Sequence, residues 1–236
     1  MNCANPYRRL PLKSVFNVRD LGGYPTEDGG VTRYGVFFRT ANPDAISKED
    51  IDVLKSYRVT TSIDFRDPEE ASRAEKAFGG QFDWHNVPVF DPRTVVESTE
   101  FFGTTLDALY ITIVDTRSET LLKALKIIAA AEGSVMYNCF AGKDRTGIVS
   151  AALLSIAGVD TLDILADYMV SGTYLKTLFA HIPENHQHMC ASGPEIMQGL
   201  LEHVEKAYGG MVPYLKKIGV SEDEIRRIHD RFVLYP

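Results

Sequence analysis

The chain has 236 residues, 44% of them hydrophobic and 24% charged, with a formal net charge of −7. That is the make-up of an ordinary folded protein with a substantial core, and it excludes a general electrostatic affinity for nucleic acid or for anionic membranes. The three cysteines, Cys3, Cys139 and Cys190, are odd in number and widely spaced, which fits neither a disulfide framework nor a zinc site and points to a reducing compartment.

Residues 1–13 contain no apolar stretch of the signal-peptide kind, so the cytoplasm is expected ahead of secretion without a recognisable signal. No apolar run reaches membrane-spanning length, so no stable membrane insertion is expected. Residues 14–24 and 31–40 read as strand-and-turn segments, with Gly22-Gly23 and Asp28-Gly29-Gly30 marking the turns. Ser47 is placed to cap a helix through Tyr57, with Asp50 in a capping-box-like position. A β-branched run predicts a strand over 59–65. Pro68 opens a charged helix, and 87–90 reads as a short strand after the Gly79-Gly80 break. The apolar segment 100–114 predicts a helix, either part of the core or a lid over a pocket. A helix follows over 118–131, then a short buried strand over 134–138 and an apolar helix over 146–157. The next helix covers 161–170 and ends near Ser171-Gly172. Pro194 starts a helix to Tyr208, and Ser221 caps the last one, with Glu224 in the capping box. Strands alternate with helices over the first two-thirds, and helices dominate the C-terminal third. This predicts an α/β fold whose sheet is covered by helices. No repeat or linker interrupts residues 1–236, which read as a single domain.

The densest chemical signal is the stretch Asn138-Cys139-Phe140-Ala141-Gly142-Lys143-Asp144-Arg145-Thr146-Gly147. Five residues separate Cys139 from Arg145, a spacing that wraps a loop around one tetrahedral anion. The loop falls between the end of a strand and the start of a helix, where anion binding is physically expected. Cys139 is the candidate nucleophile, because a helix N-terminus and nearby cations favour the thiolate. Taken alone it would more often be a buried structural cysteine; the Gly-Lys-Asp-Arg-Thr-Gly context reverses that. Arg145 supplies a two-pronged grip on phosphate oxygens that lysine would not reproduce. The backbone of Phe140, Ala141, Gly142 and Lys143 would line the wall, and Gly142 and Gly147 permit tight curvature and close approach. Thr146 can cap the helix and donate its hydroxyl to the departing thiolate. Asp144 can act as an acid if it is protonated when substrate binds, or else it merely balances Lys143 and Arg145. Asp64 and Asp91 are rival acids, though each suits a helix cap or loop anchor better; Asp64 and Arg66 lie where a strand ends, the side of α/β folds where ligands bind.

Other readings fall away. Gly142-Lys143 is followed by Asp144 rather than Ser or Thr, which excludes a Walker A loop. His181, His186 and His188 lack the matching carboxylates and helical spacing of a metal site, so no metal or other cofactor is expected.

These residues resemble the cysteine-dependent protein tyrosine phosphatase superfamily, and within it the bacterial tyrosine/lipid phosphatases whose loop reads His-Cys-x-x-Gly-Lys-Asp-Arg-Thr-Gly. The stretch Phe16-Asn17-Val18-Arg19-Asp20-Leu21-Gly22-Gly23 is similar to that family's N-terminal signature. Residues 36–40, Ile63-Asp64-Phe65-Arg66, and 208–220 resemble further family segments. The resemblance implies a phosphatase fold with a mostly parallel central sheet flanked by helices. It implies a phosphomonoester hydrolase working through a cysteinyl phosphate and releasing inorganic phosphate. Its substrates would be phosphorylated proteins, with dual specificity and phosphoinositide activity as further expectations. Lys143 matches the loop lysine of phosphoinositide 3-phosphatases, and Asp144 the in-loop acid of myotubularin-like lipid phosphatases. One departure stands out: Asn138 replaces the usual histidine, and it can hydrogen-bond but cannot carry charge. It is the one feature favouring a catalytically impaired, phospho-ligand-binding pseudophosphatase. A rhodanese or arsenate-reductase chemistry does not suit the Lys-Asp-Arg-Thr-Gly continuation.

Overall fold

A computed structural model describes residues 8–78, 80–89, 105–180, 187 and 189–236. Asp91, His181, His186, His188, Cys3 and the start of the 100–114 segment lie outside these residues.

The main sheet has five strands. They are β1 (Arg19–Asp20), β3 (Phe37–Thr40), β4 (Val59–Asp64), β5 (Asp83–Asn86) and β6 (Ser134–Asn138), in the order β1-β3-β6-β4-β5. β3, β6, β4 and β5 run parallel, and β1 closes the edge antiparallel to β3. A separate ribbon pairs β2 (Val31–Thr32) with β7 (Val233–Leu234).

Side chains alternate across a strand, and here both faces are apolar, as a covered parallel sheet requires. Phe37, Val135 and Tyr137 point into one core, while Phe38 and Met136 point into the other. The second core is covered by α1 (Lys48–Ser56) and α2 (Pro68–Phe78), through Leu54 and Phe78. The first and larger core takes most of the remaining helices: α3 (Leu106–Thr116), α4 (Ser118–Ala130), α5 (Asp144–Ile156), α6 (Thr161–Tyr174), α8 (Pro194–Tyr208), α9 (Met211–Lys217) and α10 (Glu222–Phe232). A short α7 (Lys176–Phe179) follows α6. An irregularity between Val59 and Thr61 shifts β4 by one residue, so that Val59 faces one core and Ile63 the other. Each fully buried large apolar side chain contributes roughly 1.5–3 kcal/mol, so this two-sided packing is the main force holding the sheet between its helices.

Local signals explain the helix ends. Ser221 and Glu224 form a reciprocal capping box at the start of α10. Pro194 opens α8, and Gly209 ends it in the left-handed conformation at φ 78°. α5 is buried almost all round, because it runs through the middle of the larger core.

Four expectations need correction. The strand near 87–90 is instead β5, a polar edge strand whose half-exposed side chains carry little hydrophobic signal. Asp50 does not close a capping box. Its carboxylate accepts from the backbone N–H groups of Lys13 and Ser14, although Ser47 does cap the helix by accepting from Asp50 N. α5 begins at Asp144, two residues before Thr146. Finally, α6 continues through Ser171-Gly172 to Tyr174. A helical glycine costs about 1 kcal/mol. Here it lets Ser192 approach, since an added Cβ would lie 3.3 Å from Ser192 Cβ, and Ser171 accepts from Arg19 at 3.0 Å.

Candidate active site

Thr40, Asn138 and Asp64 end three adjacent parallel strands in register, so the loop from Cys139 to Lys143 leaves the sheet at its C-terminal edge and runs into α5. This is the edge at which open parallel sheets bind ligands.

The loop is shaped from outside. The Phe140 carbonyl accepts from Asn42 N at 2.9 Å and from its side-chain amide at 3.1 Å. The Ala141 and Gly142 carbonyls both accept from Asn17 Nδ2 at 3.0 Å. Arg39 Nη2 donates to Gly142 O at 2.8 Å and to Lys143 O at 3.4 Å. In a trans peptide the next N–H points opposite the carbonyl. Drawing these four carbonyls outward therefore turns the N–H groups of Ala141, Gly142, Lys143 and Asp144 inward. No acceptor among the described residues takes them. Gly142 has φ 66°, and an added Cβ would lie 2.2 Å from Thr40 O, so only glycine fits.

The donors are themselves locked. Arg19 reaches Asn17 Oδ1 at 2.5 Å and Asp167 Oδ1 at 2.9 Å. Arg39 pairs with Asp167 Oδ2 at 2.6 Å. Burial pushes the Asp167 carboxyl up, but the two guanidinium groups outweigh it and hold it at about 2. Asp167, on α6, thus anchors two arginines that between them hold the loop.

Cys139 follows β6 directly and is 1% exposed. Arg145 sits in the first turn of α5, where its Nη1 donates to Phe65 O at 3.3 Å and lies 3.9 Å from Glu70 Oε2. Thr146 is fully buried and its hydroxyl has no hydrogen-bond partner among the described residues. Gly147 packs under Tyr168 and Met197. Phe140 is 46% exposed at the rim. Asn138 is buried; among the described residues its side chain makes one long contact, from Nδ2 to Cys139 O at 3.5 Å, and its Oδ1 has no partner.

Lys143 is turned inward and is 1% exposed. Its Nζ donates to Asp144 Oδ1 at 2.6 Å and to Ala191 O at 2.9 Å. Asp144 keeps 24% of its side chain exposed. Tyr110, from α3, donates its hydroxyl to the same oxygen of Asp144 and shares a 2.8 Å hydrogen bond with Tyr168. Asp64 is buried and accepts from Arg66 Nε at 3.0 Å and Nη2 at 2.8 Å, while the outer side of Arg66 pairs with Asp44. Asp64 and Arg66 therefore sit beside the loop but are committed to each other. Among the described residues no cluster of three or more His, Cys, Asp or Glu is arranged to hold a metal ion. None of the helices described is long and apolar enough to cross a membrane.

Reasoning from sequence alone missed Asn42, Tyr110, Tyr168 and Asp167, and Arg39 lay in the recognised 36–40 segment without an assigned task. Asn17 and Arg19 lay inside a recognised signature without an assigned task. Asn17 and Arg19 lie more than 100 residues from the loop, and even Tyr110 lies 34 from Asp144, so no local pattern connects them.

A model described as "tyrosine phosphatase family" matches residues 10–234. A protein of Cupriavidus necator named as a tyrosine-protein phosphatase is 32% identical over 170 residues, covering 69% of this chain and 62% of the relative. A tyrosine-protein phosphatase of Nostoc commune is 28% identical over 215 residues, covering 83% and 73%. The triple specificity protein phosphatase PtpB of Mycobacterium tuberculosis is 30% identical over 132 residues, covering 47% and 48%. The chain therefore spans less than two thirds of the Cupriavidus and Mycobacterium relatives. Among solved structures, P. aeruginosa TpbA in complex with pTyr aligns at a TM-score of 0.44 and 17% identity, covering 81% of this chain and 91% of that one.

Proposed function

This chain belongs to the tyrosine phosphatase family, and we propose that it is a phosphomonoester hydrolase working through a cysteinyl-phosphate intermediate. The observation that carries this reading is the arrangement of the loop. Four carbonyls are tied outward, four N–H groups are turned in, and Cys139 and Arg145 stand at its two ends. Such a cradle offers fixed donors to equatorial phosphate oxygens as charge spreads over them, without the reorganisation that water would need.

In the first step the Cys139 thiolate attacks phosphorus in line. The P–O bond to the leaving group breaks, and Asp144 delivers its proton to the leaving oxygen. In the second step water attacks the cysteinyl phosphate, its proton passes to Asp144, and the S–P bond breaks to release inorganic phosphate. Asp144 thereby returns to its starting protonation state. The Thr146 hydroxyl, one residue past Arg145 and without a partner among the described residues, suits stabilisation of the departing thiolate. Asp144 is favoured over Asp64 because it keeps an exposed edge, whereas both oxygens of Asp64 are taken by Arg66. Phosphotyrosine is the primary substrate class. The name of the Mycobacterium relative, a triple specificity protein phosphatase, favours a wider range, and Lys143, at the loop position that resembles phosphoinositide 3-phosphatases, adds phosphoinositides to the reading. Turnover of a phosphotyrosine peptide and of a phosphoinositide, by wild type and Cys139→Ser, tests this reading. Activity on either that is lost in the variant supports it.

A phospho-ligand-binding module without turnover is favoured only by Asn138, whose Oδ1 has no partner among the described residues and whose amide barely reaches the loop. Phosphate binding by a wild-type protein inert toward p-nitrophenyl phosphate would select it.

A further inference from the structure

Asp144 is held asymmetrically. Two donors converge on Oδ1: Lys143 Nζ at 2.6 Å, and the Tyr110 hydroxyl, carried in from α3. Oδ2 has no hydrogen-bond partner among the described residues, and the side chain keeps 24% of its surface exposed. Tyr110 is fully buried, and its one proton is committed to Asp144, so the 2.8 Å contact with Tyr168 is a donation from Tyr168 to Tyr110. The result is a short chain, Tyr168 to Tyr110 to Asp144, that ends on one oxygen of one carboxylate.

We propose that Tyr110 is a positioning residue for Asp144: together with Lys143 it fills Oδ1 and so reserves Oδ2 as the oxygen that carries and delivers the proton. This rests on the reading of Asp144 as the acid. A carboxylic acid holds its proton on the oxygen less satisfied by donors, and an oxygen already accepting two hydrogen bonds is the poorer site for it. Only Oδ2 is then free to meet a leaving group. Without Tyr110 the proton would divide between two oxygens, and the side chain would lose one of the two contacts that fix its rotation.

Other charged or titratable groups also act here. Lys143 and Arg145 contribute from the loop and the first turn of α5, and Tyr168 from α6. Cys190 is coupled to both Lys143 and Asp144, and Glu195 on α8 acts on Tyr168. Burial, with the Asp144 carboxylate second, pushes the Tyr110 hydroxyl well above its ordinary value, which keeps it a donor throughout the working pH range.

The test is Tyr110→Phe, which keeps the ring and removes only the hydroxyl. It is read in kcat/KM against pH on two substrates, phenyl phosphate and p-nitrophenyl phosphate. Loss of one donor to the carboxylate should move the alkaline limb to higher pH. The plateau on phenyl phosphate should fall roughly tenfold, with little change on p-nitrophenyl phosphate, whose leaving group needs little protonation. These two changes have opposite signs at high pH, which a general loosening of the fold would not produce. In an Asp144→Asn background, Tyr110→Phe should have no further effect. An unmoved limb, or an equal loss on both substrates, overturns the proposal while leaving Asp144 as the acid if Asp144→Asn alone shows the leaving-group dependence. If Asp144→Asn shows none, the acid reading fails and this proposal with it. Should Tyr110→Phe not fold, 3-fluorotyrosine at position 110, a stronger donor, must move the limb to lower pH; movement upward, or none, overturns the proposal.

Discussion

Arg39 and Asp167 meet at 2.6 Å in the interior, and the far side of the same guanidinium donates to the Gly142 carbonyl at 2.8 Å. The ion pair is thus also the outer wall of the loop that follows Cys139. A buried pair of this kind is weak support for stability in itself, yet removing one partner strands the other charge. Here it would strand two arginines.

Asp167→Asn should therefore destabilise the fold by about 3–5 kcal/mol at neutral pH. It should also weaken phosphate binding, because Arg39 and, through Asn17, Arg19 lose the anchor that aims them at the loop carbonyls. Urea unfolding and phosphate protection of Cys139 from iodoacetate check the two halves. A variant of wild-type stability would mean the arginines are held by other contacts.

The same pair sets a pH dependence. The folded-state value of Asp167, about 2, lies below its unfolded value of about 3.8. A depressed carboxylate contributes stability above its unfolded pKa and loses it as pH falls through the folded one. The difference in unfolding free energy between wild type and Asp167→Asn should hence be flat above about pH 5 and shrink by about 2 kcal/mol between pH 4 and pH 2. Comparing the two proteins cancels every other titrating group. A difference that grows on acidification contradicts the assignment.

Gly142→Ala should be more harmful than glycine substitutions at other left-handed positions. Gly29 and Gly80 also have positive φ, but an added Cβ there meets nothing within 4 Å. At those sites the cost is the left-handed backbone alone, about 1–2 kcal/mol. At Gly142 the new carbon would strike the Thr40 carbonyl, so the loop must move. Thermal unfolding and vanadate binding on Gly142→Ala and Gly29→Ala should separate: both fall in stability, and only the first loses anion binding. Retained vanadate affinity in Gly142→Ala would show that the loop does not need this curvature.

How much of this was legible in the sequence depends on distance along the chain. The stretch from Asn138 to Gly147 is ten contiguous residues, so its place between β6 and α5 could be read directly. The helices with strong caps, α8 and α10, were equally plain. The polar strand β5 was not, because Asp83, His85 and Asn86 lie on a half-exposed edge and pair through backbone groups. Ser171-Gly172 read as a helix stop because propensity favours one there. Packing against Ser192 and the bond to Arg19 override it. The support behind the loop is assembled from Asn17, Arg39, Tyr110 and Asp167, residues joined only by the fold. Burial also makes Arg66 and Asp64 partners of each other, where the strand-end position had drawn attention to them as ligands.

The central claim is the covalent step at Cys139. Wild type mixed rapidly with p-nitrophenyl phosphate and quenched in acid within the first turnover can be digested and examined by mass spectrometry. The account predicts that the peptide containing Cys139 is heavier by one phosphoryl group, that the signal is absent in Cys139→Ser, and that it accumulates when Asp144→Asn slows the attack of water. Turnover at the wild-type rate with no phosphorylated Cys139 at any quench time, or sustained turnover by Cys139→Ser, would contradict it.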